Sequence, residues 1–275
     1  MKTKNIGFIG GGNMASSLIS GLIASGHAPS QIWVSDVNQD ALQTLASTLN
    51  VNISGDNNEV INEVDVVVLA VKPQVLRSVA ESSAALLQTK NTLVVSIAAG
   101  ISQLSLSQWL GEKIAIVRCM PNTPALVLTG ATALHANSNV SNEQRDLAEN
   151  ILRAVGISLW VDNESELDAV TAVSGSGPAY YFLLMETMES AAIEMGLSKE
   201  TARLLIQQTA LGAAKIALES SESPQQLRNR VTSPGGTTQR AIETFEQGNF
   251  AQLVSKALHA AKDRSIEISK QLGVG

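Results

Sequence analysis

Phe8-Ile9-Gly10-Gly11-Gly12-Asn13-Met14-Ala15 is a G-x-G-x-x-A turn, directly behind a short β-branched run and ahead of a helical pattern. A dinucleotide-binding turn requires that context. Gly10 permits the tight turn, Gly12 lets backbone approach a pyrophosphate, and Ala15 leaves room for close helix–strand packing. The free amides and positive end of the helix hold the diphosphate. Asp36 follows the second β-rich run, about 20 residues on, where a carboxylate meets the ribose 2′-hydroxyl. It favours NAD, because no arginine stands at 36–40 to receive a 2′-phosphate. Ala70-Val71-Lys72-Pro73 closes another run at the carboxyl edge of the sheet, where ligands sit. Pro73 forces Lys72 to be extended. Lys72 is either a charge near the cofactor or a plain surface lysine. Ser96-Ile97-Ala98-Ala99-Gly100 ends the next run with small residues that leave room for a ring.

The elements that must position these residues are strands alternating with helices. Ile6 to Ile9, Gln31 to Ser35, Val64 to Val71, Leu93 to Ile97 and Ile114 to Arg118 read as strands. Leu42, Leu45, Ala46 and Leu49 share one face of an amphipathic helix. Alternation of this kind implies βαβ units and a mostly parallel, doubly wound sheet. Ser141 to Gln144 is a capping box opening a further helix, and Ile157 to Val161 reads as a last strand. After Val161 only helical patterns remain. A helix from Pro178 to Met195 is apolar around most of its circumference, as expected of a helix buried against another subunit. Ser198 to Glu219 and Phe250 to about Leu272 are two more, and Ser223 to Gln226 is a second capping box. The expected division is residues 1–162, a Rossmann-type dinucleotide-binding domain, and residues 163–275, an all-helical domain that forms a homodimer.

Composition narrows the function classes. The 275 residues are 44% hydrophobic with a net charge of −6, enough for a buried core and unlike a nucleic-acid binder. The single cysteine, Cys119, excludes an intrachain disulfide or a cysteine-based zinc site and suits a reducing compartment. The start of the chain lacks the apolar core of a secretory signal. No apolar run approaches the roughly 20 residues of a membrane span. The expectation is a cytoplasmic protein with no metal, membrane or nucleic-acid partner.

At this point the chain resembles the pyrroline-5-carboxylate reductase family, almost end to end. The resemblance rests on Gly7 to Met14, Ala70-Val71-Lys72-Pro73, Val95 to Gly100 and Met120-Pro121-Asn122-Thr123-Pro124. Val173-Ser174-Gly175-Ser176-Gly177-Pro178-Ala179 and Ser233-Pro234-Gly235-Gly236-Thr237-Thr238 carry it most specifically. It implies a Rossmann domain followed by a helical dimerisation domain, a dimer that often assembles into decamers, and reduction of 1-pyrroline-5-carboxylate to L-proline by NADPH or NADH. It implies cofactor contacts at Gly10, Gly11, Gly12, Asn13 and Met14, at Asp36 and Asn57, at Ala70, Val71, Lys72 and Pro73, and at Ile97, Ala98 and Ala99. It implies substrate contacts at Glu164, at Ser174, Gly175, Ser176 and Gly177, and at Gly236, Thr237 and Thr238. The chain departs from the family at Asp36, near which many members carry Ser, Thr or Arg, and at Arg230, where relatives often carry a smaller residue.

A protonated cyclic imine accepts hydride readily, so the main task is orientation. His27, His135 and His259 fall in no motif, and no histidine shuttle is required. The Ser233–Thr238 loop precedes a helix expected to start near Gln239, whose amides bind the substrate carboxylate. Thr238 is the candidate hydroxyl for the imine nitrogen; the alternative is that it or Thr237 only caps the helix. Two rival readings are a β-hydroxyacid dehydrogenase, to which Lys215 followed by Glu219 is a poor fit, and a catalytically silent dinucleotide sensor, which has no use for a second anion pocket.

Overall fold

The computed structural model describes residues 4–273; residues 1–3 and 274–275, with part of the start judged above, lie outside the described residues. One sheet contains β1 (Ile6–Ile9), β2 (Ile32–Ser35), β3 (Asn52–Ser54), β4 (Val66–Leu69), β5 (Leu93–Ser96), β6 (Ile116–Met120), β7 (Gly130–Ala136) and β8 (Gly156–Trp160). Their order is β3-β2-β1-β4-β5-β6-β7-β8. Every neighbouring pair is parallel except β6 and β7.

Side-chain alternation along each strand divides two cores. Ile6, Phe8, Val66, Val68, Leu93 and Val95 face one, covered by α1 (Asn13–Ala24), α2 (Gln39–Leu49) and α6 (Asn142–Arg153). Ile9, Val67, Leu69, Val94 and Ile116 face the other, covered by α3 (Asn57–Glu63), α4 (Pro73–Lys90) and α5 (Gln103–Leu110). Both faces of β4 are therefore dry, which is why Val64 to Val71 reads as an apolar run, interrupted only at Asp65. Only Val66–Leu69 joins the ladder. β6 starts two residues later than expected, although Ile114 and Ala115 are buried ahead of it. β3 and β7 were not expected at all.

Past β8 come α7 (Glu166–Val170), a π-helical turn at Thr171–Gly175, α8 (Gly177–Glu194), α9 (Lys199–Glu219), α10 (Pro224–Arg230), α11 (Thr237–Gln247) and α12 (Phe250–Leu272). Both capping boxes form, at Ser141 and at Ser223. Two compact units result: residues 1–176 with 260–275, and residues 177–259. Loss of strand pattern near residue 162 therefore does not coincide with the division by compactness. Residues 163–176 pack with the sheet, as does the end of α12, where Ser265 Oγ donates to Asp168 Oδ1 at 2.7 Å. In the second unit α8 and α9 pack together and Arg203 pairs with Glu189. The expected burial of α8 is not achieved within one chain, for Tyr181, Phe182 and Leu183 are exposed. No helix among the described residues is long and apolar enough to cross a membrane.

Candidate functional site

In the first unit the carboxyl ends of β2, β1, β4 and β5 form one edge. The chain reverses its winding direction between β1 and β4, the place where open α/β sheets bind ligands. Gly10 lies there at φ +102° and donates its N–H to the Ser35 carbonyl at 2.8 Å. A Cβ at Gly10 would stand 2.7 Å from the Ala70 carbonyl oxygen, so only glycine fits. Gly12 is the N-cap of α1, with no side-chain cap, no acidic residue in the first turn and open space where a Cβ would point. Those uncapped amides fit a diphosphate. Ala15 is buried against the sheet, while Asn13 is exposed and Met14 half-buried.

Asp36 closes this turn from the side. Its Oδ2 accepts from the Gly11 N–H at 2.7 Å and its Oδ1 from the Asn38 N–H at 2.8 Å. Asn57, the first residue of α3, accepts through Oδ1 from Ser35 Oγ at 2.7 Å. The fingerprint, Asp36 and Asn57 are thus one connected group. Lys72 is extended, as Pro73 requires, and exposed; no ion-pair partner stands beside it among the described residues. Ile97 donates its N–H to the Leu69 carbonyl at 3.2 Å, which carries Ala98 and Ala99 to the same edge.

Glu164 is already engaged. Its Oε1 accepts from the Gln103 N–H at 2.7 Å and pairs with Arg118 Nη1 at 2.8 Å. Arg118 is 5% exposed, on β6. The Gln103 side chain in turn donates to the His135 carbonyl at 2.9 Å, and its Oε1 lies 3.0 Å from His135 Nδ1. Sequence reasoning gave Arg118 and Gln103 no role and set His135 aside as falling in no motif, although an arginine inside an apolar strand signals a buried pair. Ser174, Gly175 and Ser176 form the end of the π-helical turn, with the Ser176 N–H donating to the Thr171 carbonyl at 2.8 Å. A concavity of about 340 Å³ beside it is lined mainly by apolar groups of β7, β8 and α7, and by Ser174; none of the fingerprint residues lines it.

In the second unit Gly177 opens α8 and Gly236 is the N-cap of α11. The helix begins at Thr237, two residues before the expected start, because Gly235 at φ +71° turns the chain early. Thr237 and Thr238 are its first two residues, and neither caps it. Gln239 Oε1 accepts from the Gly235 N–H at 2.6 Å. Arg230 pairs with Glu222. Lys215 lies 3.8 Å from Glu219 with both side chains mostly in solvent, so it is not the buried acid of a hydroxyacid enzyme.

A dinucleotide turn at the winding switch of a doubly wound sheet, followed by an all-helical half, defines a nicotinamide-dependent oxidoreductase. The model of the pyrroline-5-carboxylate reductase dimerisation family matches residues 164–268, and one described as NADP oxidoreductase, coenzyme F420-dependent, matches residues 5–100. The chain is 51% identical to the pyrroline-5-carboxylate reductase of Pseudomonas aeruginosa over 99% of its own length and 100% of the relative's. A Coxiella burnetii pyrroline-5-carboxylate reductase structure matches with TM-score 0.94 and 48% identity, covering 98% of this chain and 100% of that one. The Plasmodium falciparum structure, solved with NADP bound, matches with TM-score 0.87 and 30% identity, covering 98% and 100%. The chain belongs to the pyrroline-5-carboxylate reductase family and is an NAD(P)H-dependent oxidoreductase.

Proposed function

We propose that this chain reduces the C=N bond of 1-pyrroline-5-carboxylate to L-proline. A bound nicotinamide cofactor supplies the hydride, which goes to the imine carbon, while the ring nitrogen keeps its proton and becomes the amine. The observation that carries the assignment of roles is that two helices start from a glycine N-cap with no side-chain cap, one at Gly12 and one at Gly236. A reductase of an anionic imine needs one for the diphosphate and one for the substrate carboxylate.

Gly10 to Met14 hold the diphosphate. Asp36 and Asn57 take the adenosine ribose. Ala70 to Pro73 and Ile97 to Ala99 border the nicotinamide side. Gly236, Thr237 and Thr238 offer amides to the substrate carboxylate, and the Thr238 hydroxyl bonds the imine nitrogen. Ser174 to Gly177 contact the substrate. Glu164 acts there through an oxygen left over from its pairing with Arg118.

The division of labour follows the sequence boundary: residues 1–162 bind cofactor, and residues 163–275 bind substrate and form a dimer. The exposed apolar side chains of α8 and α9 support the dimer. Assembly into a decamer and a cytoplasmic location are carried from the family likeness and the cysteine count. The test is oxidation of NADPH and of NADH by purified protein supplied with 1-pyrroline-5-carboxylate.

A further inference from the structure

Met120-Pro121-Asn122-Thr123-Pro124 is a motif that the site above does not use. Asn122 is 9% exposed and makes two hydrogen bonds through its side chain. Its Oδ1 accepts from the Ala131 N–H at 2.9 Å, at the start of β7. Its Nδ2 donates to the Ser174 carbonyl at 3.0 Å. One partner is a donor and the other an acceptor, so the amide can be oriented only one way round.

The N–H four residues on, which an α-helix would offer the Ser174 carbonyl, is absent, because that residue is Pro178. Thr171–Gly175 is also π-helical, a form that occurs mostly as single turns and frequently at functional sites. The turn sits directly on the motif: a Cβ at Gly175 would come 2.5 Å from Met120 Cε. Glycine at 175 allows that approach, and the Asn122 side chain ties the Ser174 carbonyl to the motif.

We infer that Asn122 is a positioning residue for the reaction: by fixing the Ser174 carbonyl it sets the plane of the 174–175 peptide, and with it the direction in which Gly175 and Ser176 present themselves. The inference rests on the assignment of Ser174 to Gly177 to the substrate. Asn122 itself touches neither substrate nor cofactor in this account.

Asn122→Asp tests it, because the carboxylate still accepts from Ala131 but offers nothing to Ser174. The expected result is a KM for 1-pyrroline-5-carboxylate raised about tenfold, with kcat and the KM for NADPH each changed less than about twofold. Asn122→Ser, which brings no charge into the buried position, gives the same split if the Asp variant does not fold. Ser176→Ala, measured in parallel, separates the two ideas. If it raises the substrate KM while both Asn122 variants leave it unchanged, the positioning role is overturned and the loop assignment stands. If none of the three moves it, the loop assignment falls and the inference with it. Equal loss in both KM values and kcat would mark Asn122 as a merely structural tie.

Discussion

Thr238 stands at the second position of α11, and among the described residues its hydroxyl makes no hydrogen bond. The obvious structural task for it, capping, belongs to Gly236, whose lack of a side chain leaves the first amides of the helix open. Thr238→Ala is therefore expected to lower kcat/KM about tenfold, the cost of one lost hydrogen bond of roughly 1.4 kcal/mol. Its thermal midpoint should stay within error of the parent, since no cap is lost. An unchanged kcat/KM in the folded variant would remove Thr238 from the chemistry. The placement of Gly10, Gly12 and Asp36 was readable from sequence because turn, helix start and strand end are adjacent there. Glu164 was not fully readable. Its partners Arg118 and Gln103 come from β6 and α5, and only the fold brings them to it. Cys119 is the reverse case. The sequence limits what a single cysteine can do, and burial pushes its thiol well above the ordinary range, leaving a core residue.

β7 is the element the sequence hid. Gly130-Ala131-Thr132-Ala133-Leu134-His135-Ala136 has few β-branched residues, so neither propensity nor periodicity marks it. Tertiary context makes it a strand. It lies between β6 and β8, and the Asn137 side chain accepts from the Ile116 N–H at 3.1 Å and donates to the Ile114 carbonyl at 2.9 Å. The β7–β8 pair is tight at its start. Gly156 has φ +153°, and a Cβ there would come 2.0 Å from the Gly130 carbonyl oxygen. Gly156→Ala should therefore destabilise the protein by at least about 2 kcal/mol, read from the denaturant midpoint. A loss of under half that would show that β7 and β8 can separate without cost. β3 escaped notice for a simpler reason: three residues at the sheet edge carry no periodic pattern. Several long helices, by contrast, were legible, and α12 from Phe250 to Leu272 matches the sequence reading at both ends, whereas α4 from Pro73 to Lys90 was not named there.

At the scale of the molecule, the second unit exposes more large apolar side chains than one chain can cover. Phe182 is 64% exposed, Leu204 68% and Leu211 63%. Surfaces of that kind on a folded protein mark an interface, and light scattering at micromolar protein should report a dimer or a multiple of it. A monomer at that concentration would contradict the role given to α8 and α9. The change from strand grammar to helix grammar was visible in the sequence. The return of α12 to the first unit was not, because it depends on a hydrogen bond and packing 97 positions apart, between Ser265 and Asp168. The measurement that bears most directly on the whole account is steady-state oxidation of NADPH and of NADH with 1-pyrroline-5-carboxylate as the acceptor. The account predicts turnover, formation of L-proline, and a kcat/KM for NADH at least comparable with that for NADPH, because the Asp36 carboxylate, in the role proposed for it at the adenosine ribose, would repel a 2′-phosphate. Protein that is folded and binds dinucleotide but turns over neither cofactor would contradict it.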